Sequence, residues 1–173
     1  MAISKWIEET LLSGCSLVCD RYYYSGMVYS AAKHNPELNL HWAKSPDVGL
    51  PKPDRVVFLD LDPEDAEKRG GYGEEKYEKR QMQENVKALF LDLKFCRGDE
   101  AKDMRVVNAG ASIEEVGKKI WEEVIGKVEE VESGKLELGR VKEWRSGGEM
   151  LGEFSTFKDA EKAGTFNEDR YTS

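Results

Sequence analysis

Three short runs constrain this chain most: residues 15–19, Cys-Ser-Leu-Val-Cys; residues 56–59, Val-Val-Phe-Leu; and residues 104–109, beginning Met-Arg-Val-Val. The first two read as buried strands and the last as a third strand. Val56 to Leu59 is continuously apolar, as a parallel strand covered on both faces should be. Between the runs lie stretches with apolar residues at helical spacing. Strands alternating with helices argue an α/β fold around a parallel sheet.

The helical stretches are legible from their periodicity and their ends. Residues 3 to 12 place Ile3, Trp6, Ile7 and Leu11 on one face, and Gly14 ends the helix. A helix is predicted from Tyr22 to Lys33, broken by Asn35-Pro36, and a short one over Leu40 to Lys44. Gly49 to Asp54 is a connector stiffened by two prolines. Asp62-Pro63 reads as a helix start that stops near the glycine-rich loop at Arg69 to Gly73. A longer helix from Tyr77 to Leu93 carries Met82, Val86, Leu89, Phe90 and Leu93 at a 3.6 period. Ser112 to Glu115 forms a capping box. The helix behind it aligns Ile113, Val116, Ile120, Val124, Val128 and Val131. Residues 1–131 are expected to be one domain. Residues 132–173 are expected to be a flexible tail, with Trp144, Leu151, Phe154 and Phe157 leaving a docking segment open.

The chemistry concentrates where the first run ends in Asp20-Arg21. In open α/β sheets, ligands bind just outside the strand C-terminal ends. A carboxylate there suits a hydrated Mg²⁺. A guanidinium suits a phosphate gripped through two donors. The two side by side suit phosphoryl transfer. A formal net charge of -8 argues against nucleic acid or an anionic membrane surface as partner. No apolar stretch approaches the roughly 20 residues that span a bilayer, and no leader-like start is visible. Three cysteines without a C-x-x-C pair point to a reducing compartment, with Cys15 and Cys19 as small core side chains. His34 and His41 lie in polar surroundings and read as exposed. No His/Cys/Asp/Glu set has metal-ligand spacing.

Asp20-Arg21-Tyr22-x-x-Ser25-Gly26-x-Val28-Tyr29-Ser30 resembles the signature of thymidylate (dTMP) kinases, in particular eukaryotic, fungal-like members. The resemblance continues through Ser45 to Asp54 and through Lys68 to Glu78, where residues match the family's mobile lid. It covers roughly residues 5 to 128. It implies ATP-dependent phosphorylation of dTMP to dTDP with Mg²⁺, in the cytoplasm, with the nucleus and a homodimer of the complete enzyme left open. By that resemblance Asp20 serves Mg²⁺ through water, and Arg21 clamps the dTMP phosphate. Ser25 and Gly26 wall the nucleotide, and Tyr29 packs on its sugar and base. Arg69 and Lys76 supply lid cations, and Tyr77 approaches thymidine. Lys76 stands where many members carry Arg, and a lysine cannot make a bidentate clamp. Asn108, Ala109 and Gly110 lie where the family's adenine-contacting loop would be.

One element of the pattern has no match. The family's phosphate loop, G-x-x-x-x-G-K-[ST], is absent. Gly117-Lys118-Lys119, Gly126-Lys127-Val128 and Gly134-Lys135-Leu136 do not continue to Ser or Thr. The resemblance therefore implies a P-loop-kinase-like parallel sheet that is incomplete, lacking the P-loop strand and its helix. A truncated gene product with impaired activity is expected. A non-catalytic nucleotide-binding or interaction fragment and a related nucleoside monophosphate kinase remain as alternatives. The three strands are expected to run parallel, with Asp20 at the rim and a gap between the first two.

Overall fold

A computed structural model of the chain describes residues 2–33, 38–62, 65–66, 76–96 and 98–144. For residues 2, 76–79, 95–96 and 98–99 it describes the backbone alone. The expected features at His34, Asn35-Pro36, Pro63 and the Arg69 to Gly73 loop lie outside the described residues. Residues 2–54 with 124–144 make one compact unit, and residues 55–123 make another.

The first unit is helical. Helix α1 spans Ala2–Leu12, α2 spans Tyr23–Ala31 and α3 spans Leu40–Lys44, which runs into a 3-10 turn at Ser45–Asp47. Gly14 ends α1 as its sequence demands. At φ 86 its N–H reaches the Leu11 carbonyl, and the next N–H, from Cys15, reaches Thr10. That pair of bonds closes a helix by the Schellman pattern, which needs a left-handed residue. Helices α2 and α3 pack together and bury Tyr23, Tyr24, Met27 and Val28 with Leu40 and Ala43. The Asn39 side chain caps α3 by accepting from the Trp42 N–H at 2.9 Å.

Within the stretch read as tail, residues 139–144 are packed on the same unit. Pro51 and Arg140 form an antiparallel bridge, Val141 is buried, and the Lys44 amine lies 4.4 Å from the Trp144 ring centroid.

The expected strand at Cys15–Cys19 does not form. The segment has no ladder among the described residues, Val18 is fully exposed, and Cys15 and Cys19 are exposed free thiols rather than core side chains. An apolar run becomes a strand only by hydrogen bonding to a neighbour, and its own composition cannot supply that neighbour. The expected three-strand arrangement with Asp20 at a sheet rim is corrected accordingly.

The second unit holds the sheet. Strand β1 (Val56–Asp60) pairs in parallel with β2 (Met104–Asn108), in register from Val56 opposite Met104 to Asp60 opposite Asn108. Helix α4 (Lys76–Cys96) covers it, with Phe90 stacked on Phe58 at 4.5 Å between centroids. Val86, Leu93, Met104 and Val107 complete this core. Full burial on both faces was expected of Val56 to Leu59. Instead its residues are half-buried, and Leu59 is exposed. Helix α5 (Gly98–Asp103) leads into β2. The Lys94 amine ties the two by donating to Ala101 O at 3.1 Å and Met104 O at 2.8 Å. Burial, then the nearby Arg105 and Arg55 cations, hold its pKa below the ordinary lysine value.

Helix α6 (Ile113–Glu132) begins with the predicted capping box. Ser112 N–H donates to the Glu115 carboxylate at 3.1 Å, and Glu115 N–H donates to Ser112 Oγ at 3.2 Å. Its apolar stripe is present as periodicity without deep burial: no α6 side chain is fully buried, and Ile113 is 87% exposed.

Two predictions follow from these elements. Native-state labelling with a maleimide, read by mass spectrometry, should modify Cys15 and Cys19 at the rate of free thiols; protection of both would restore the buried strand. The Ser112 bonds hold the Glu115 carboxyl below the ordinary glutamate pKa. A lowered folded pKa stabilises the fold above the unfolded value of 4.5 and loses that contribution as pH falls through the folded value. Glu115→Gln should therefore melt below the unsubstituted chain at pH 7, with the gap closing on acidification. A gap independent of pH would contradict this.

Candidate functional site

The chain enters α2 through a constrained backbone. Arg21 has φ 67, and among the described residues no other non-glycine has a positive φ. That left-handed conformation costs a residue with a Cβ about 1–2 kcal/mol. Tyr22 then returns to extended geometry, φ -147 and ψ -159, and stands at the N-cap of α2. The Arg21 guanidinium carbon lies 5.3 Å from the centroid of the Tyr29 ring, a cation–π contact. Asp20 and Gly26 are exposed, as is Arg21, while Ser25 is half-buried. A Cβ at Gly26 would meet nothing within 4 Å, so this glycine leaves open surface in the first turn of α2. The geometry thus brings Arg21 onto Tyr29, with Asp20 as its chain neighbour and Ser25 and Gly26 on the same helix.

Tyr22 anchors the entry. Its hydroxyl donates to the Pro51 carbonyl at 3.1 Å. Burial, then the neighbouring Cys19 and Asp47, push its pKa up. Burial also raises the Asp47 carboxyl above its ordinary value.

In the second unit, the residues after β2 form a tight turn. Ala109 N–H donates to Asp60 O at 2.7 Å, and Gly110 N–H donates to the Asn108 side-chain oxygen at 2.7 Å. A Cβ on Gly110 would stand 3.0 Å from that oxygen, so a side chain there would press on the Asn108 amide. Asp60 and Lys87, outside the residues that the sequence singles out, pair at 2.7 Å. The signal was there, because Asp60 ends an apolar strand just as Asp20 ends an apolar run. A cavity of about 210 Å³ opens beside them, lined in part by Leu59, Ala66, Arg80 and Glu84. Its cations are already neutralised, since Arg80 pairs with Glu84 at 3.2 Å and Lys87 with Asp60.

Arg69 lies outside the described residues. Lys76 and Tyr77 belong to the first turn of α4, and their side chains lie outside the description. Among the described residues, no three His, Cys, Asp or Glu side chains cluster as metal ligands. Nor is any helix there long and apolar enough to cross a membrane.

The parallel strands with flanking helices define an α/β protein of the P-loop kinase type. The family model for thymidylate kinase matches residues 1–120, and the chain belongs to that family. It is 42% identical to a thymidylate kinase of Arabidopsis thaliana over 129 residues, covering 75% of this chain and 46% of the relative. To the human thymidylate kinase it is 45% identical over 114 residues, covering 66% and 51%. It also resembles the solved thymidylate kinase of Candida albicans, with a TM-score of 0.54 and 34% identity. That match covers 70% of this chain and 59% of the other. The chain spans about half the length of the curated relatives it matches.

The backbone at Arg21 yields its own test. Arg21→Gly removes the left-handed penalty that Arg21→Ala keeps, so the glycine variant should unfold about 1 kcal/mol later than the alanine variant. Equal urea midpoints would mean that Arg21 is not held left-handed in solution.

Proposed function

We propose that the Asp20–Tyr29 site holds dTMP for phosphorylation by ATP, the reaction of a thymidylate kinase. The observation that carries this reading is the Arg21 guanidinium, exposed and set against Tyr29 at the entry to α2. An exposed cation–π contact is worth about 0.5–1 kcal/mol. A charge-assisted hydrogen bond to phosphate is worth about 1.5–3 kcal/mol, and Arg can make two. The guanidinium is therefore held in readiness by a contact that an arriving phosphate outbids. In this reading Ser25 and Gly26 wall the nucleotide, and Tyr29 offers its ring to the sugar and base.

Mg²⁺ fits the donor set. It keeps several waters and takes one or two carboxylates alongside substrate phosphates. Exposed Asp20 would hold such an ion through water, and the ion would neutralise charge on the phosphates. Arg69 and Lys76 as lid cations, Tyr77 toward thymidine, and Asn108 to Gly110 toward adenine belong to the same proposal on family resemblance. So do cytoplasmic residence and a homodimer of the complete enzyme.

A second reading rests on one sequence fact. No G-x-x-x-x-G-K-[ST] occurs in the 173 residues, and this loop cradles ATP phosphates where it occurs. These residues by themselves would then bind dTMP without transferring phosphate to it.

Calorimetry with dTMP and with thymidine tests the binding claim. The chain should bind dTMP more tightly than thymidine, and Arg21→Ala should weaken dTMP at least tenfold while leaving thymidine unchanged. Arg21→Lys should recover part of the loss, because one charge remains and the two-point grip does not. An unchanged dTMP affinity in Arg21→Ala would remove the phosphate role. Coupled ADP detection separates the two readings: turnover of about 1–100 s⁻¹ would support catalysis by this chain, and binding without turnover would support the second.

A further inference from the structure

The left-handed residue at position 21 has to be maintained, and three backbone segments of the first unit meet to do it. The Gly49–Lys52 connector is laced to Gly139–Val141. Gly49 N–H donates to Val141 O, Val141 N–H to Leu50 O, and Lys52 N–H to Gly139 O, each at 2.9 Å. Arg140 adds a bond to Gly49 O at 3.3 Å and an ion pair to Glu8 on α1. Backbone groups along an extended segment point alternately to opposite sides. With Leu50 O and Lys52 N–H committed to residues 139–141, the Pro51 carbonyl faces the other way, and there it accepts the Tyr22 hydroxyl at 3.1 Å. Proline has no N–H and a locked φ, so this carbonyl sits on a stiff mount. Pro51 and Val141 are both buried. Tyr22 is covalently next to Arg21 and its carbonyl accepts the Ser25 N–H at 3.0 Å, so it is held at both its backbone and its ring end.

We propose that Tyr22 is a positioning residue for Arg21, and that Gly139–Val141 is a strap which fixes the Pro51 carbonyl on which Tyr22 depends. The strap acts on the phosphate-binding guanidinium through two intermediates without touching it. Residues 139–141 thereby acquire a role in substrate binding that their sequence does not advertise.

The inference rests on Arg21 being the phosphate residue, and its test separates the two claims. Tyr22→Phe removes the hydroxyl and keeps the ring. One neutral hydrogen bond of about 1 kcal/mol corresponds to roughly fivefold to tenfold in affinity. Tyr22→Phe should weaken dTMP by about that factor, leave thymidine binding unchanged, and have no further effect on dTMP when Arg21 is already alanine. A purely structural tyrosine would instead weaken dTMP and thymidine alike, or act equally in both backgrounds. Either result would overturn the proposal. A readout without ligand stands beside it. Native-state trypsin cleavage at the Arg21–Tyr22 bond, followed by mass spectrometry, should be severalfold faster in Tyr22→Phe. It should be similarly faster in Val141→Pro, which removes the N–H donated to Leu50. Unchanged cleavage in both variants would overturn the positioning role whatever the ligand data. If instead Arg21→Ala leaves dTMP affinity unchanged, the dTMP reading falls, and the cleavage ratio alone decides whether Tyr22 holds Arg21.

Discussion

Backbone hydrogen bonding between strands decides which apolar runs of this chain become structure. Val56–Asp60 and Met104–Asn108 find each other and form a parallel ladder. Around that ladder Phe58, Phe90, Leu93, Met104 and Val107 pack. Cys15–Cys19 has comparable composition, but it has no ladder among the described residues and stays exposed. The difference is in the partner, since a peptide group buried without one costs as much as a lost hydrogen bond. A run of β-formers is therefore a conditional statement about the rest of the chain.

The same accounting explains the site. Arg21 occupies a backbone conformation that works against it by about 1–2 kcal/mol. Contacts of similar size surround it: the Tyr29 ring, the Tyr22 hydroxyl bond and the Ser25 amide bond. None is large, and together they suffice because each acts within one residue of Arg21 or directly on its side chain. Under the proposed function, a guanidinium held in place beforehand would lose less freedom when phosphate arrives. Preorganisation here is a property of the peptide geometry at one position, and the rest of the first unit supplies its support.

Helix ends were legible in the sequence because their causes are local, and the β1 and β2 runs were legible as apolar segments, although their pairing is a long-range contact. Gly14 stops α1, and Ser112 with Glu115 starts α6, each through bonds that span a few residues. The Asp20 to Tyr29 motif was legible as a unit because one helix carries most of it. Tertiary exposure was not legible. The stripe on α6 follows the helical period, yet Ile113 and Val131 remain exposed, because periodicity describes a face and says nothing of what covers it. Nor could spacing reveal the lacing of Leu50 to Val141, which joins residues about ninety positions apart by backbone atoms that every residue possesses. Asp60 is marked by the strand it ends, but nothing in the sequence names Lys87 as its partner.

The level register of β1 and β2 has an evolutionary corollary. Asp60 stands opposite Asn108, so the segments that begin at Leu61 and Ala109 leave the sheet side by side. The Ala109 N–H bond to Asp60 O fastens their starting points together. Adding or deleting one residue inside either strand would turn every later side chain to the opposite face and displace one exit relative to the other. Insertions beyond the exits would do neither. Drift in this lineage should thus accumulate as changes of loop length after the strands, while the five-residue strands themselves are inherited as a fixed count.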